Sequence, residues 1–169
     1  MGTKRVGWAR IKSLINENQN EIKIRNKDIL AVSAAKTLTA GDSGATVYLT
    51  KNGSGFNITL PDAEVGMSFK FVIAAGGAAN HYILTAKVAD KVMGKSTVTT
   101  TNATTDTAVQ EILKVAGKNK VHLKSDAATT GGRVGDVVEL VCVEAGYWLC
   151  DARLYTSATP PASITTIQD

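Results

Sequence analysis

Residues 46–73 read TVYLTKNGSGFNITLPDAEVGMSFKFVI, and this stretch decides the fold class. Apolar and polar side chains alternate in three runs, at residues 46–49, 56–60 and 67–73. A period of two places the apolar side chains on one face of a pleated strand. Residues 51–55, between the first two runs, contain Asn and Gly, which supply the positive φ of a tight hairpin turn. The stretch therefore predicts three antiparallel strands whose apolar face needs a second layer to cover it.

A second amphipathic hairpin is predicted for residues 136–154. Its apolar positions are Val138, Leu140 and Cys142 before a turn at residues 144–146, and Trp148, Cys150, Ala152 and Leu154 after it. We expect this hairpin to cover the first sheet. The two layers would form a mainly β fold, an antiparallel β-sandwich or a flattened β-barrel.

The segment between the two hairpins gives weaker signals. Strands are predicted at residues 82–86, 88–93 and 121–123, the second of them ending at Gly94. Residues 97–107 contain seven threonines and almost nothing apolar, which favours an exposed loop or a protruding ribbon. Residues 108–115 suit a helix or a strand equally.

The N-terminal segment is basic and carries one apolar stripe. Residues 1–30 contain seven Lys or Arg and three Asp or Glu, so the whole formal net charge of +4 lies in this segment. The spacing of apolar residues predicts a short helix over residues 3–16. The apolar residues of this helix are Trp8, Ile11, Leu14 and Ile15, and its basic residues are Lys4, Arg5, Arg10 and Lys12. A helix this short is marginal alone in water, so we expect its apolar stripe to dock onto the β body, a sister subunit or a larger assembly. The basic residues could contact an acidic partner, the alternative being a solvated helix face.

The sequence divides into three predicted parts. Residues 1–32 are predicted to be the N-terminal helix and a linker arm, with residues 29–32 as an extended link or an edge strand. Residues 33–155 form the β body. Residues 156–169, which contain Pro160-Pro161, are predicted to be an extended C-terminal arm.

Bulk composition and the two cysteines exclude several classes of protein. No apolar run approaches the length of a membrane span, and the N-terminus lacks the apolar core of a signal peptide, so we expect a soluble protein made in a cytoplasm. Cys142 would face Trp148 and Cys150 would face Leu140, so the two cysteines would lie diagonally across the second hairpin, near or beyond disulfide reach. We therefore predict two buried free thiols. Neither cysteine has the spacing of a zinc site.

The residues 41–44, Gly-Asp-Ser-Gly, match the tetrapeptide around the nucleophile of chymotrypsin-like proteases. That chemistry needs a histidine as general base and an aspartate that orients it, and both precede the serine in that family. Here both histidines, His81 and His122, follow Ser43. We therefore predict a turn at this point. The carboxylate pairs Asp62 with Glu64 and Glu139 with Asp151 are typical of turns and solvent faces. The sequence predicts no enzyme, and no catalytic residue, metal site or cofactor.

Several short motifs mark the chain. They are MGTKRVGWAR at residues 1–10, Ile58-Thr59-Leu60-Pro61, Gly66 with Phe69, Asp90 to Gly94, GDVVEL at residues 135–140 and Tyr147-Trp148. Together they resemble a β-rich pattern in virion proteins of tailed phages, especially marine ones, and in particular capsid decoration (cement) proteins. The resemblance spans most of residues 1–154 and does not cover the threonine-rich segment or the end of the chain.

This resemblance implies a viral structural protein that binds the outside of a capsid at subunit junctions and stabilises the head. The implied partner is the major capsid protein, with self-association as a trimer, at the surface of a virion made in the host cytoplasm. No cofactor, membrane or direct nucleic-acid contact is expected. We hypothesise that the partner-binding residues are Lys4, Arg5, Trp8, Arg10, Ile11, Lys12, Leu14 and Ile15. The alternative is a tail-associated or receptor-binding virion protein in which the threonine-rich segment is the recognition surface.

Overall fold

The structure, a computed structural model, describes residues 10–13, 29–50, 55–75, 80–100, 108–113, 119–125, 134–156 and 165–168. Within them the chain is mainly β, as predicted, with a helical turn at residues 10–13 and a 3-10 helix at Ala40–Asp42. The strands of the described residues are β1 (Ile29–Val32), β2 (Lys36–Thr37), β3 (Thr46–Leu49), β4 (Asn57–Thr59), β5 (Ser68–Ile73), β6 (Asn80–Thr85), β7 (Lys91–Thr100), β8 (Ala108–Leu113), β9 (Lys120–Ser125), β10 (Val137–Glu144), β11 (Tyr147–Thr156) and β12 (Thr165–Gln168).

These strands form two mixed sheets between which the chain alternates. Among the described strands, the large sheet has the order β1-β3-β5-β10-β11-β7-β8, and the small sheet has the order β12-β9-β6-β4-β2. From β1 to β6, odd-numbered strands join the large sheet and even-numbered strands join the small one. Successive strands within each sheet pair in parallel over this part of the chain. Residues 29–85 are therefore a flattened coil of three turns.

The predicted hairpin around residues 51–55 was wrong. β3 lies in the large sheet and β4 in the small sheet, so the segment between them carries the chain from one sheet to the other. β3 pairs in parallel with β5, which places Val47 opposite Phe71 and Leu49 opposite Ile73. Of the ten strand pairings in the described residues, five are parallel, so an antiparallel arrangement holds for only half of them. Asn and Gly permit a change of chain direction, but they do not determine which strand the following strand pairs with.

The predicted hairpin of residues 136–154 is confirmed. β10 and β11 pair antiparallel, with Cys142 opposite Trp148 and Leu140 opposite Cys150, which is the expected register. The prediction that this hairpin covers the first sheet was wrong. β10 pairs with β5 and β11 pairs with β7, so the hairpin lies in the middle of the large sheet. The second layer is the small sheet, whose buried residues join the same hydrophobic cluster.

The core consists of rows of buried side chains that run across the strands. One row of the large sheet contains Val32, Leu49 and Ile73, which are Cα partners on three parallel strands. The small sheet contributes a row of its own, namely Ile58, Leu84 and Val121, each fully buried. The parallel register places apolar side chains of successive turns of the coil next to one another. Each turn therefore helps to bury the apolar side chains of the preceding turn.

Trp148 is the largest fully buried side chain of the core. Its ring lies 5.8 Å from the ring of Phe69, centroid to centroid. Its indole Nε1 has no hydrogen-bond partner among the described residues. An unpaired buried N–H costs about 1–3 kcal/mol. Burying the 150–250 Å² of a large aromatic ring gains roughly 4–6 kcal/mol, so the ring remains net stabilising in this position.

The strands outside the coil and the hairpin differ from the predictions in their bounds. β7 runs to Thr100 rather than ending at Gly94, so residues 97–100 of the predicted loop are strand, whereas residues 101–107 lie outside the described residues. Residues 108–113, where helix and strand were both open, are the strand β8. The predicted strands at residues 82–86 and 121–123 are confirmed as β6 and β9.

Residues 29–32 and 165–168, which were assigned to the two arms, belong to the sheets. Residues 29–32 are the edge strand β1, one of the two possibilities that the sequence left open. Residues 165–168 were assigned to an extended C-terminal arm, but they form β12 and pair antiparallel with β9. The segment Thr-Thr-Ile-Gln is short and has one apolar residue, so it does not reveal a strand that depends on a partner distant in sequence.

Candidate functional site

The predicted partner-binding helix is described only in part. Arg10, Ile11 and Lys12 lie in the helical turn of residues 10–13 and are exposed, with 37% of Ile11 accessible to solvent. The other predicted residues of this site, Lys4, Arg5, Trp8, Leu14 and Ile15, lie outside the described residues. An exposed Ile beside two exposed cations is suited to contact with an apolar and acidic surface.

Ser43, from the protease-like tetrapeptide, has a structural environment. It follows the 3-10 helix and its Oγ accepts a hydrogen bond of 3.1 Å from the backbone N–H of Ser68. The preceding Asp42 accepts hydrogen bonds of 2.8 Å from both the backbone N–H and the hydroxyl of Thr39. The Thr39 backbone N–H, with smaller help from its hydroxyl and from Lys36, lowers the pKa of Asp42 against the opposing effect of partial burial. These contacts shape the turn that leads into β3, as predicted.

Glu139 and Asp151, one of the two carboxylate pairs considered above, are held in ion pairs. Glu139 and Asp151 are Cα partners on the outer face of the large sheet. Lys70 lies 3.3 Å from Glu139, and Arg153 lies 3.9 Å from Glu139 and 3.7 Å from Asp151. Their side chains are between 36% and 61% exposed, so each pair contributes about 0–1 kcal/mol at most.

Two buried carboxylates, which the sequence analysis placed in short motifs without a role, fix loops. Asp90 Oδ2 accepts a hydrogen bond of 3.0 Å from the backbone N–H of Ala63. Asp136 Oδ1 accepts one of 2.9 Å from the backbone N–H of Tyr155 and thereby joins the start of β10 to the end of β11. Each aspartate directly follows a turn, at residues 88–89 and 134–135, which makes both look like ordinary turn residues.

Cys142 and Cys150 are buried free thiols, as predicted. Burial raises the pKa of Cys150 to about 12, with a smaller contribution from Asp151. Burial also raises the pKa of Cys142, although hydrogen bonding with the backbone of Glu144 opposes the effect. The Cys142 Sγ also donates a hydrogen bond of 3.2 Å to the carbonyl oxygen of Glu144. Both thiols are therefore protonated near neutral pH, and neither has the character of a nucleophile.

The described residues contain neither a metal cluster nor a membrane-spanning helix. Within them, no group of three or more His, Cys, Asp or Glu side chains is arranged to hold a metal ion. In the same part of the chain, no helix has the length and apolar character needed to span a membrane.

The outer face of the large sheet carries a cluster of exposed apolar side chains. Met93, Leu149 and Val141 form a row of Cα partners across β7, β11 and β10, and Val143 and Tyr147 lie beside it. Between 37% and 50% of each of these five side chains is exposed. We call these five residues the outer-face patch. The ion pairs of Glu139 and Asp151 lie in the adjacent row and give the patch a polar border.

The outer-face patch was not predicted, although the sequence contains a signal for it. Residues 137–143 read VVELVCV, in which both alternating faces of the strand are largely apolar. Such a run is typical of a strand covered on both faces. In the structure, the face with Val138, Leu140 and Cys142 is buried, whereas Val141 and Val143 are exposed. The run therefore marks a face that the described part of the chain leaves uncovered.

Comparisons of the chain with models of protein families, with curated proteins and with solved structures give no match.

Proposed function

We propose that this chain is a structural protein of a tailed-phage virion that binds the outside of the capsid at subunit junctions and stabilises the head. Its partner in this proposal is the major capsid protein, and it associates with copies of itself as a trimer. It acts on the virion surface after synthesis in the host cytoplasm. The virion-protein motifs described above suggest this class of function, and the outer-face patch is the observation that carries it.

The outer-face patch supports a role in protein contact for two reasons. A contiguous apolar patch on a sheet face is the kind of surface that marks protein interaction sites, in contrast to apolar residues scattered singly. Its polar border of Lys70, Glu139, Asp151 and Arg153 resembles the rim of an interface, where ion pairs favour orientation more than affinity.

The N-terminal helix is the second contact in this proposal. The exposure of Arg10, Ile11 and Lys12 is consistent with that role. The body would be a β-sandwich made of the two mixed sheets. Two separate contacts on one chain, repeated over many symmetric copies, convert modest affinity at each contact into strong overall attachment.

Binding to heads that were assembled without this protein tests the proposal. Leu149→Glu places a carboxylate in the centre of the outer-face patch, where the side chain is 44% exposed and the sheet can accept it. We expect at least about a tenfold loss of head binding in co-sedimentation, since burying an unpaired charge is costly. Val65→Glu, at a residue 69% exposed and outside the patch, is the matched control and should bind like the unchanged protein.

Two further measurements complete the test. Deletion of residues 1–20 should also weaken head binding while leaving the β body folded. The amount of this protein in purified virions, measured on a stained gel, should correspond to hundreds of copies. A few to a few tens of copies would refute capsid decoration and favour the tail-associated alternative. Unchanged head binding by Leu149→Glu would refute the assigned contact surface.

A further inference from the structure

A groove of about 630 Å³ lies beside the segment that carries the chain from β6 in the small sheet to β7 in the large sheet. Polar and charged residues of its lining are Thr59, Thr85, Lys87, Lys91, Asn119 and Lys120. The volume falls in the range of small-molecule sites in proteins, about 300–1,000 Å³. None of the lining residues belongs to the outer-face patch or to residues 10–13.

The geometry of the small sheet places three of these residues side by side. Thr59, Thr85 and Lys120 are Cα partners on β4, β6 and β9. Each of them adjoins a fully buried core residue in sequence, so the alternation of the strands directs the three side chains to the outer face. Two hydroxyl groups and one ammonium group therefore share one end of the sheet.

The groove is also bordered by Ala86, directly after β6, and Asn119, directly before β9, which are hydrogen-bonded to each other. The backbone N–H of Ala86 donates to the carbonyl oxygen of Asn119 at 2.7 Å, and the side-chain amide of Asn119 donates to the carbonyl oxygen of Ala86 at 3.4 Å. The groove is thus bordered by a paired segment, which is a rigid support for a binding site.

The charge of the lining is of one sign. It includes three lysines and no aspartate or glutamate. Lys87 forms an ion pair with Asp62, whose carboxylate oxygens lie 2.8 and 3.0 Å from its Nζ, but Asp62 is not part of the lining. The lysines have aliphatic stems, and Ala86 and Val88 add further apolar surface. A ligand in this groove therefore contacts ammonium and hydroxyl groups on an otherwise aliphatic surface.

We propose that this groove binds a small oxyanion, the carboxylate or phosphate group of a ligand whose remaining part can be aliphatic. Lys120 and the hydroxyls of Thr59 and Thr85 provide hydrogen-bond donors from the outer face of the small sheet. Lys87, in the segment between β6 and β7, and Lys91, at the start of β7, supply positive potential. Hydrogen bonds between an ammonium group and an oxyanion are stronger than those between neutral groups. These residues lie at strand ends and on a hydrogen-bonded segment. This backbone support holds the donors in position before the anion binds.

Titration of the isotope-labelled full chain with inorganic phosphate and, separately, with hexanoate tests the proposal. Amide resonances of Thr59, Thr85 and Lys120 should shift saturably with at least one of the two probes. A stronger response to hexanoate identifies an aliphatic carboxylate as the ligand class, and a stronger response to phosphate identifies a phosphate group. Lys120→Gln should weaken binding about tenfold, the loss expected for one charge-assisted hydrogen bond.

Lys95→Gln is the matched control, because Lys95 is an exposed lysine on the large sheet outside the groove. It removes the same charge and should leave the affinity unchanged. Thr85→Val removes a hydroxyl without a change of shape and should weaken binding with the amide spectrum otherwise preserved. Shifts that fail to saturate with either probe, or equal losses for Lys120→Gln and Lys95→Gln, would show only diffuse charge effects and would overturn the proposal.

Discussion

Gly94 lies opposite Cys150 in the parallel pairing of β7 and β11, with a φ of +145°. A Cβ atom built at this position would overlap the carbonyl oxygen of Cys150 and lie 2.7 Å from its backbone nitrogen. Both neighbours are backbone atoms of a central strand, which cannot rotate away as a flexible side chain can. Replacing Gly94 with alanine should therefore force the two strands apart and weaken the ladder that joins β7 to the rest of the sheet.

The expected loss has two parts. Positive φ at a residue with a Cβ costs roughly 1–2 kcal/mol, and overpacking costs typically about 1–3 kcal/mol. We therefore expect Gly94→Ala to lower the free energy of unfolding by about 2–5 kcal/mol, a large fraction of the roughly 5–15 kcal/mol of a typical domain. Urea unfolding followed by tryptophan fluorescence measures this loss, because Trp148 lies in β11 two residues before Cys150.

Gly135→Ala is the matched control for this experiment. Gly135 also has a positive φ, +96°, but a Cβ built there has no atom within 4 Å. It should lose only the backbone part, about 1–2 kcal/mol. The difference between the two variants isolates the steric contact between β7 and β11. Equal losses for Gly94→Ala and Gly135→Ala would refute the reasoning, since they would mean that the strand pair accepts a Cβ without cost.

Two other predictions concern Cys150 and Ser43. The raised pKa of Cys150, about 12 against the usual 9.0, means that above pH 9 the unfolded chain releases this proton before the folded chain does. The free energy of unfolding should therefore decrease by about 1.4 kcal/mol per pH unit from pH 9 towards pH 12. Urea unfolding at each pH should show a shallower fall in Cys150→Ala, and equal slopes would contradict the assignment. Ser43→Ala removes the acceptor of the Ser68 N–H and should cost about 0.5–1.5 kcal/mol in the same assay, against no change for the exposed Ser33→Ala. Loss of a peptidase activity with unchanged stability would contradict this structural role for Ser43.

The period of two in the sequence located most strands, because burial of one face is a local property of each strand. β3, β5, β10 and β11 all lie where their alternation predicts them. The partners of these strands were harder to predict, because hydrogen bonding between strands distant in sequence leaves no local pattern. The only pairing predicted in register, that of β10 with β11, joins strands separated by a short turn. The parallel pairing of β3 with β5 spans a whole turn of the coil and was missed.

Glycine was the other source of error, since it has more than one structural use. Gly94 was interpreted as the end of a strand, but the chain continues through it to Thr100. Its role is to allow close approach of β11, and this use of glycine depends on a partner that the local sequence does not contain. For the candidate site, the sequence indicated the apolar residues of β10 but not which of its faces would remain exposed. Whether one face of a strand is exposed depends on whether another sheet packs against that face.

The position of the outer-face patch bears on how a partner would bind it. β10 and β11 are central strands, hydrogen-bonded on both sides by β5, by each other and by β7. A partner cannot extend the sheet there by adding a strand, as it could beside a strand at the edge of the described sheet, such as β1. Contact with Val141 and Leu149 must therefore be made by side chains against the flat outer face. Side-chain packing depends on shape, so an apolar surface on central strands favours one complementary partner over edge-to-edge aggregation.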